Sequence, residues 1–154
     1  MKTILSSWRH HYAVRVSTFL ITVALIAGMV GCGQPETEYT PMVAAGGGHT
    51  VGLRSNGTVV SVGASDNGQC DVGNWTDIIQ VAADGWHTLG LKSDGTVVAM
   101  GLNNYGQCDI SDWMDITEVS AGTWHTVGLK DNGTVVAVGG NDAGQCDVGG
   151  WNLA

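Results

Sequence analysis

The sequence predicts an all-β chain of three stacked units, each a short antiparallel meander, preceded by an N-terminal signal helix. Three observations carry that fold class. One pattern recurs at a fixed interval: His49, His87 and His125 are 38 residues apart, and Gly57, Gly95 and Gly133, then Cys70, Cys108 and Cys146, then Trp75, Trp113 and Trp151 keep the same spacing. A constant period of this size marks an array whose units cannot bury their apolar surface alone. Composition agrees, with 24 glycines, 2 prolines and few helix formers, and with valine and threonine concentrated between glycine turns. Finally, Ser55-Asn56-Gly57, Ser93-Asp94-Gly95 and Asp131-Asn132-Gly133 carry the Asn-Gly or Asp-Gly pairs that supply the positive φ angles of a tight hairpin.

Taken in order, residues 1–31 read as a signal peptide. Lys2, Arg9 and Arg15 precede an uncharged apolar run from Val16 to Val30, shorter than the roughly 20 apolar residues of a membrane-spanning helix. The run ends in Met29-Val30-Gly31-Cys32, which resembles the lipobox of bacterial lipoprotein signal peptides. That resemblance implies cleavage before Cys32 and lipidation of its thiol. Met29 departs from the leucine most often found there, and an ordinary signal peptide with an incidental cysteine is the alternative. Either way the repeats are expected outside the cytoplasm, anchored at the bacterial cell envelope or secreted. Residues 32–41 carry Pro35, Glu36, Glu38 and Pro41 and read as a short flexible tether.

Residues 42–154 form the repeat domain, counted as copies 43–80, 81–118 and 119–154. In the clearest copy the first strand is expected at Ile78–Ala83, the second at His87–Lys92 and the third at Thr96–Met100. These units resemble the short bacterial form of the RCC1-type β-propeller repeat. The resemblance rests on Val81-Ala82-Ala83, His87-Thr88, Leu91-Lys92-Ser93-Asp94-Gly95-Thr96-Val97-Val98 and Asn103-Asn104-Tyr105-Gly106-Gln107, each echoed in phase. It implies a partial propeller of three blades, where the family ring usually has seven. Val62, Met100 and Val138 stand where the family commonly has tryptophan, and cysteine follows Gly-Gln where leucine or threonine is frequent. Three blades cannot close such a ring. Two explanations stay open: the chain is a fragment of a longer array, or several copies assemble as a homo-oligomer that completes the propeller.

The formal net charge is −8 over 154 residues, and beyond the leader only Arg54, Lys92 and Lys130 stand against all 14 acidic residues. Such a surface repels phosphate backbones, so nucleic acid is not an expected partner. No asymmetric catalytic set is visible. The three histidines occupy equivalent places, whereas a general base is a single supported group; they are expected to hydrogen-bond neighbouring backbone at strand starts. Equivalent thiols on successive blades are expected to be small apolar wedges between blades. Asp66-Asn67-Gly68 and Asn141-Asp142-Ala143-Gly144 are rich in calcium-type oxygens but lack the EF-hand order, so turn chemistry accounts for them. Neither a metal nor a cofactor is expected, and no enzymatic activity.

If the symmetric positions build the scaffold, specificity belongs where the copies differ. The loops after the first and third strands emerge at the same end of each blade, and they gather Trp86, Trp124, Tyr105, Asp84, Asp66 and Asp142. Aromatic anchors among carboxylates suit a protein-binding surface, or the sugar-binding surface of a lectin. The competing expectation for Trp86 and Trp124 is packing against adjacent blades. Trp75, Trp113 and Trp151, present in every copy, are expected between blades. Resemblance to secreted bacterial propellers with this repeat also implies a narrower possibility, inhibition of a β-lactamase through one loop face; eukaryotic relatives act in nucleotide exchange and on chromatin, which an exported acidic protein does not suit.

Overall fold

A computed structural model describes residues 38–154. The expected signal helix, the lipidation site at Cys32 and most of the tether lie outside these residues. Among the described residues there are nine strands and no helix: β1 (Met42–Ala45), β2 (His49–Leu53), β3 (Val59–Gly63), β4 (Ile78–Asp84), β5 (His87–Lys92), β6 (Val97–Gly101), β7 (Ile116–Ala121), β8 (His125–Lys130) and β9 (Val135–Gly139). They pair antiparallel into three sheets, β1-β2-β3, β4-β5-β6 and β7-β8-β9. The three sheets are the blades of a partial β-propeller. Each blade begins at the strand that precedes the hairpin, so the counting boundaries at 81 and 119 cut through β4 and β7.

The hairpins differ from the expected form in one respect. Positive φ falls on glycine alone, as at Gly95 (φ 80°), and not on the residue before it. Gly95 N–H donates to the Lys92 carbonyl and Lys92 N–H to the Thr96 carbonyl, each within 3.0 Å. Three residues therefore make the turn, with glycine in the left-handed region as the bulge. Asp94 keeps an ordinary φ because its carboxylate accepts from Thr96 N at 3.0 Å and Thr96 Oγ1 at 2.6 Å. Asn56 and Asn132 do the same for Thr58 and Thr134.

Packing between blades makes the core. Val51, Leu53, Val59, Val72 and Trp75 of blade 1 bury against Ile78 and Val81 of blade 2. The second seam repeats this column for column, with Leu89, Leu91, Val97, Ile110 and Trp113 against Ile116 and Val119. Blade 2 lies between the two seams, and β5 is accordingly buried on both faces, whereas β2 alternates. Removal of apolar surface from water, favourable by about 25 cal/mol per Å², is what stacks the blades.

Trp75 and Trp113 show how closely the sheets meet. They are 6% and 8% exposed. A Cβ on Gly90 would lie 2.8 Å from Trp75 Cε3, and one on Gly128 would lie 2.9 Å from Trp113 Cε3. Each indole therefore fills the space that a side chain on the next blade's central strand would need. Trp151 has the same place in blade 3 but is 57% exposed.

Candidate loop-face binding site

The loop face starts from strand register. Pairing of His49 with Gly63, His87 with Gly101 and His125 with Gly139 brings the two variable loops of each blade to one end. A backbone hydrogen bond then joins them: Ala64 N–H to the Gly48 carbonyl, Leu102 N–H to Trp86 and Gly140 N–H to Trp124, at 2.7–2.9 Å. Neighbouring blades are linked at the same level. Gly47 N–H donates to the Gly85 carbonyl at 3.1 Å, and Gly85 (φ 45°) leaves no room for a Cβ, which would sit 2.6 Å from the Thr123 carbonyl oxygen.

On this frame Trp86 and Trp124 are 37% and 39% exposed and Tyr105 is 54% exposed. Trp124 leans over the second seam to meet Tyr105 of blade 2, with ring centroids 5.4 Å apart and planes inclined by 57°. This tilted contact fixes two large rings in one orientation without removing them from solvent. Trp86 stands at the first seam beside Gly48, where blade 1 offers no aromatic partner. The carboxylates divide. Asp66 and Asp142 are exposed in the loops after β3 and β9. Asp84 is half-buried; it accepts from Gly85 N at 2.6 Å and lies 3.5 Å from Thr123 Oγ1 across the seam, so it positions the loop.

His49 and His87 are bonded to the next blade and not, as expected, to neighbouring backbone. His49 Nε2 lies 2.8 Å from Thr88 Oγ1, and His87 Nε2 lies 2.9 Å from Thr126 Oγ1. Each threonine hydroxyl donates its proton at 2.8 Å to a carbonyl of the preceding blade, Gln69 or Gln107. Its oxygen must then accept, so each ring carries its proton on Nε2. Nδ1 of both rings is buried without a protein partner, and a second ring proton there would have no protein acceptor. Burial accordingly lowers the pKa of His49, and lowers that of His87 to about 4, where Asp84 opposes the shift and the other two histidines add to it. These rings are neutral ties between blades.

Cys70, Cys108 and Cys146 are free thiols, half-buried and not fully buried. Each S–H points at a carbonyl of its own loop, Ala64, Leu102 or Gly140, at 3.3–3.5 Å. The loop has its own polar frame: Asn103 and Asn141 each accept from the cysteine N–H at 2.7 Å and donate to Asp109 or Asp147 at 2.7–2.8 Å. In blade 1 Ser65 replaces the asparagine and makes only the first of these bonds, at 3.2 Å. Of the oxygens suggestive of calcium, that of Asn141 is engaged in this turn pairing, while Asp66 and Asp142 stay exposed. Burial, with Asp109 adjacent, pushes the Cys108 thiol up to about 11, and burial with Asp147 raises Cys146.

Sequence reasoning missed the threonine column, Thr88 and Thr126, and the side chain of Gln80. Gln80 Nε2 donates to the Val119 carbonyl at 2.9 Å and its Oε1 accepts from Val119 N–H at 3.0 Å, clamping blade 2 to blade 3. The period itself held the signal, because Thr50, Thr88 and Thr126 recur with the histidines.

Comparison with known proteins agrees with this geometry. No curated protein matches the sequence. Among solved structures, Prp20p from Saccharomyces cerevisiae is similar at 20% identity and a TM-score of 0.58, over 68% of this chain and 32% of its own. Human WBSCR16 is similar at 25% identity and a TM-score of 0.58, over 74% of this chain and 38% of its own. The ectodomain of the Arabidopsis thaliana receptor kinase ACR4 is similar at 22% and 0.56, over 64% of this chain and 42% of its own. The chain thus spans well under half the length of these proteins. The model of the regulator of chromosome condensation (RCC1) repeat matches residues 43–69, 78–107 and 116–145, one match per blade and more than half of the chain in all. The chain belongs to the RCC1 repeat family.

Proposed function

We propose that this chain is a non-enzymatic binding module, held outside the cytoplasm by a lipid on Cys32, that engages a protein partner through the loop face. The observation that carries this reading is the exposed aromatic group of Trp86, Trp124 and Tyr105 on a backbone pinned by hydrogen bonds within and between blades. Aromatic rings held in place lose little conformational freedom on binding and act as anchors. Asp66 and Asp142 at the edge of the face favour a partner of opposite charge. Protein binding is also what is described for Prp20p, with Gsp1p and histones, and the propeller of ACR4 belongs to an ectodomain.

The test compares cross-linked partners of the wild-type chain at the cell envelope with those of the Trp86→Ala/Trp124→Ala variant. Loss of a specific cross-linked protein while the thermal transition is unchanged supports the reading; an identical set removes the loop face from it. Binding of the purified chain to a glycan array would instead favour a lectin. For the anchor, the mature protein is expected to begin at acylated Cys32, and Cys32→Ser is expected to release it from the membrane fraction.

A further inference from the structure

The outer faces of blades 1 and 3 carry the two halves of one more seam. At each internal seam a tryptophan lies over a glycine, a histidine reaches a threonine, and the side chain before a valine reaches the backbone of the equivalent valine in the next blade. Blade 3 supplies the first half of all three: Trp151, His125 and Glu118, in the columns of Trp113, His87 and Gln80. Blade 1 supplies the second half: Gly52, Thr50 and Val43, in the columns of Gly90, Thr88 and Val81.

Both faces are more exposed than the internal seams: on blade 3, Val127, Leu129 and Val135 are half-buried where Leu89, Leu91 and Val97 are buried. Trp151 flanks a groove of about 200 Å³ lined by Val119, Val127, Leu129 and Val135 on blade 3 and, at its edge, by Leu153, whose N–H donates to the Gly133 carbonyl. On blade 1, Val43, Val60 and Val62 are exposed. A Cβ on Gly52 would meet only Val60 Cγ2, at 3.3 Å, so no indole of this chain occupies the space that Trp75 fills over Gly90. His125 Nε2 has no hydrogen-bond partner among the described residues, and Thr50 is exposed.

We infer that blade 3 of one copy docks on blade 1 of a second copy, head to tail, and repeats the internal seam with Trp151 over Gly52 and His125 Nε2–H on Thr50 Oγ1. Glu118 accepts the Val43 N–H, as Gln80 accepts that of Val119. The contact is heterologous, so it closes into a ring or extends as a filament according to the rotation per blade.

Native mass spectrometry of the full chain, released from detergent and kept reduced, tests this across a concentration series. Dimers or higher assemblies support the proposal, whether their mass is fixed or grows with concentration. A monomer throughout overturns it and leaves these faces to another occupant, such as a further repeat. Gly52→Leu blocks only the second half of the seam and Trp151→Ala removes only the first, and neither position is packed within the chain. Each variant alone is expected to be a folded monomer. Mixed, they are expected to pair one to one, because each retains the half that the other lacks. Assemblies that survive Gly52→Leu, or a mixture that stays monomeric, would show that the copies meet elsewhere.

Discussion

The first and second seams bury equivalent columns and share the histidine–threonine tie, yet differ at several positions outside them. At the first, Met42 packs against the apolar cluster and offers a single polar contact, its sulfur 3.4 Å from Val81 N–H, and Trp86 stands without an aromatic neighbour. At the second, Gln80 takes both backbone groups of Val119, Asp84 faces Thr123, and Trp124 meets Tyr105. What the seams share suffices to stack blades, and what they do not share adjusts strength below and recognition above. Three experiments break or sharpen this contrast.

The largest effect is expected where the seams agree. Trp113→Ala empties a site between two sheets and should destabilise the fold by about 3–5 kcal/mol. The same change at Trp151, measured in the monomeric Gly52→Leu background, should stay within about 0.5 kcal/mol, as for an exposed residue. Urea unfolding of the pair gives the comparison directly, and equal losses would mean that blade 3 buries its indole by another route.

The shared histidines should impose a pH dependence. His87 titrates at about 4 in the folded chain and near its ordinary 6.5 when unfolded. Between those values the unfolded chain holds a proton that the folded chain does not, so stability is greatest above about 6.5 and falls as pH drops toward 4. His49, lowered by the same burial, adds in the same direction. In His87→Gln the slope of unfolding free energy against pH should flatten over this window, whatever happens to stability at neutral pH. An unchanged slope would assign the dependence to other groups.

The smallest effect tests the difference between the seams. Gln80→Met gives the second seam the side chain of the first and should cost about 1 kcal/mol, the net worth of an ordinary hydrogen bond. Met42→Gln should return a similar amount at the first. If both changes are neutral, the clamp on Val119 is no stronger than its replacement by water.

Much of this architecture was legible from single repeats. The second strand, His87–Lys92, has the expected bounds, the first gains Asp84, and the third is shifted by one residue to Val97–Gly101. Valine alternation and the Asp-Gly turn are local signals, and they located local structure. The threonine that receives each histidine, the glutamine that grips the next strand and the glycine beneath each indole were not legible, because their partners lie in another copy. A single unit shows that a column exists and conceals what it touches. For the loop face, chain reversal indicated which loops share an end, but not that Asp84 turns into the seam or that Tyr105 supports Trp124.

One regularity in these contacts reaches beyond any single blade. His49 to Thr88, His87 to Thr126, Met42 to Val81, Gln80 to Val119 and Asp84 to Thr123 each join positions 39 apart. Chain-closure entropy depends on that separation and not on how many units precede it. Each blade therefore condenses on its neighbour at the same entropic cost, like successive teeth of a zip, and a tandem duplication of 38 residues brings both partners of a new contact set while leaving the older ones intact.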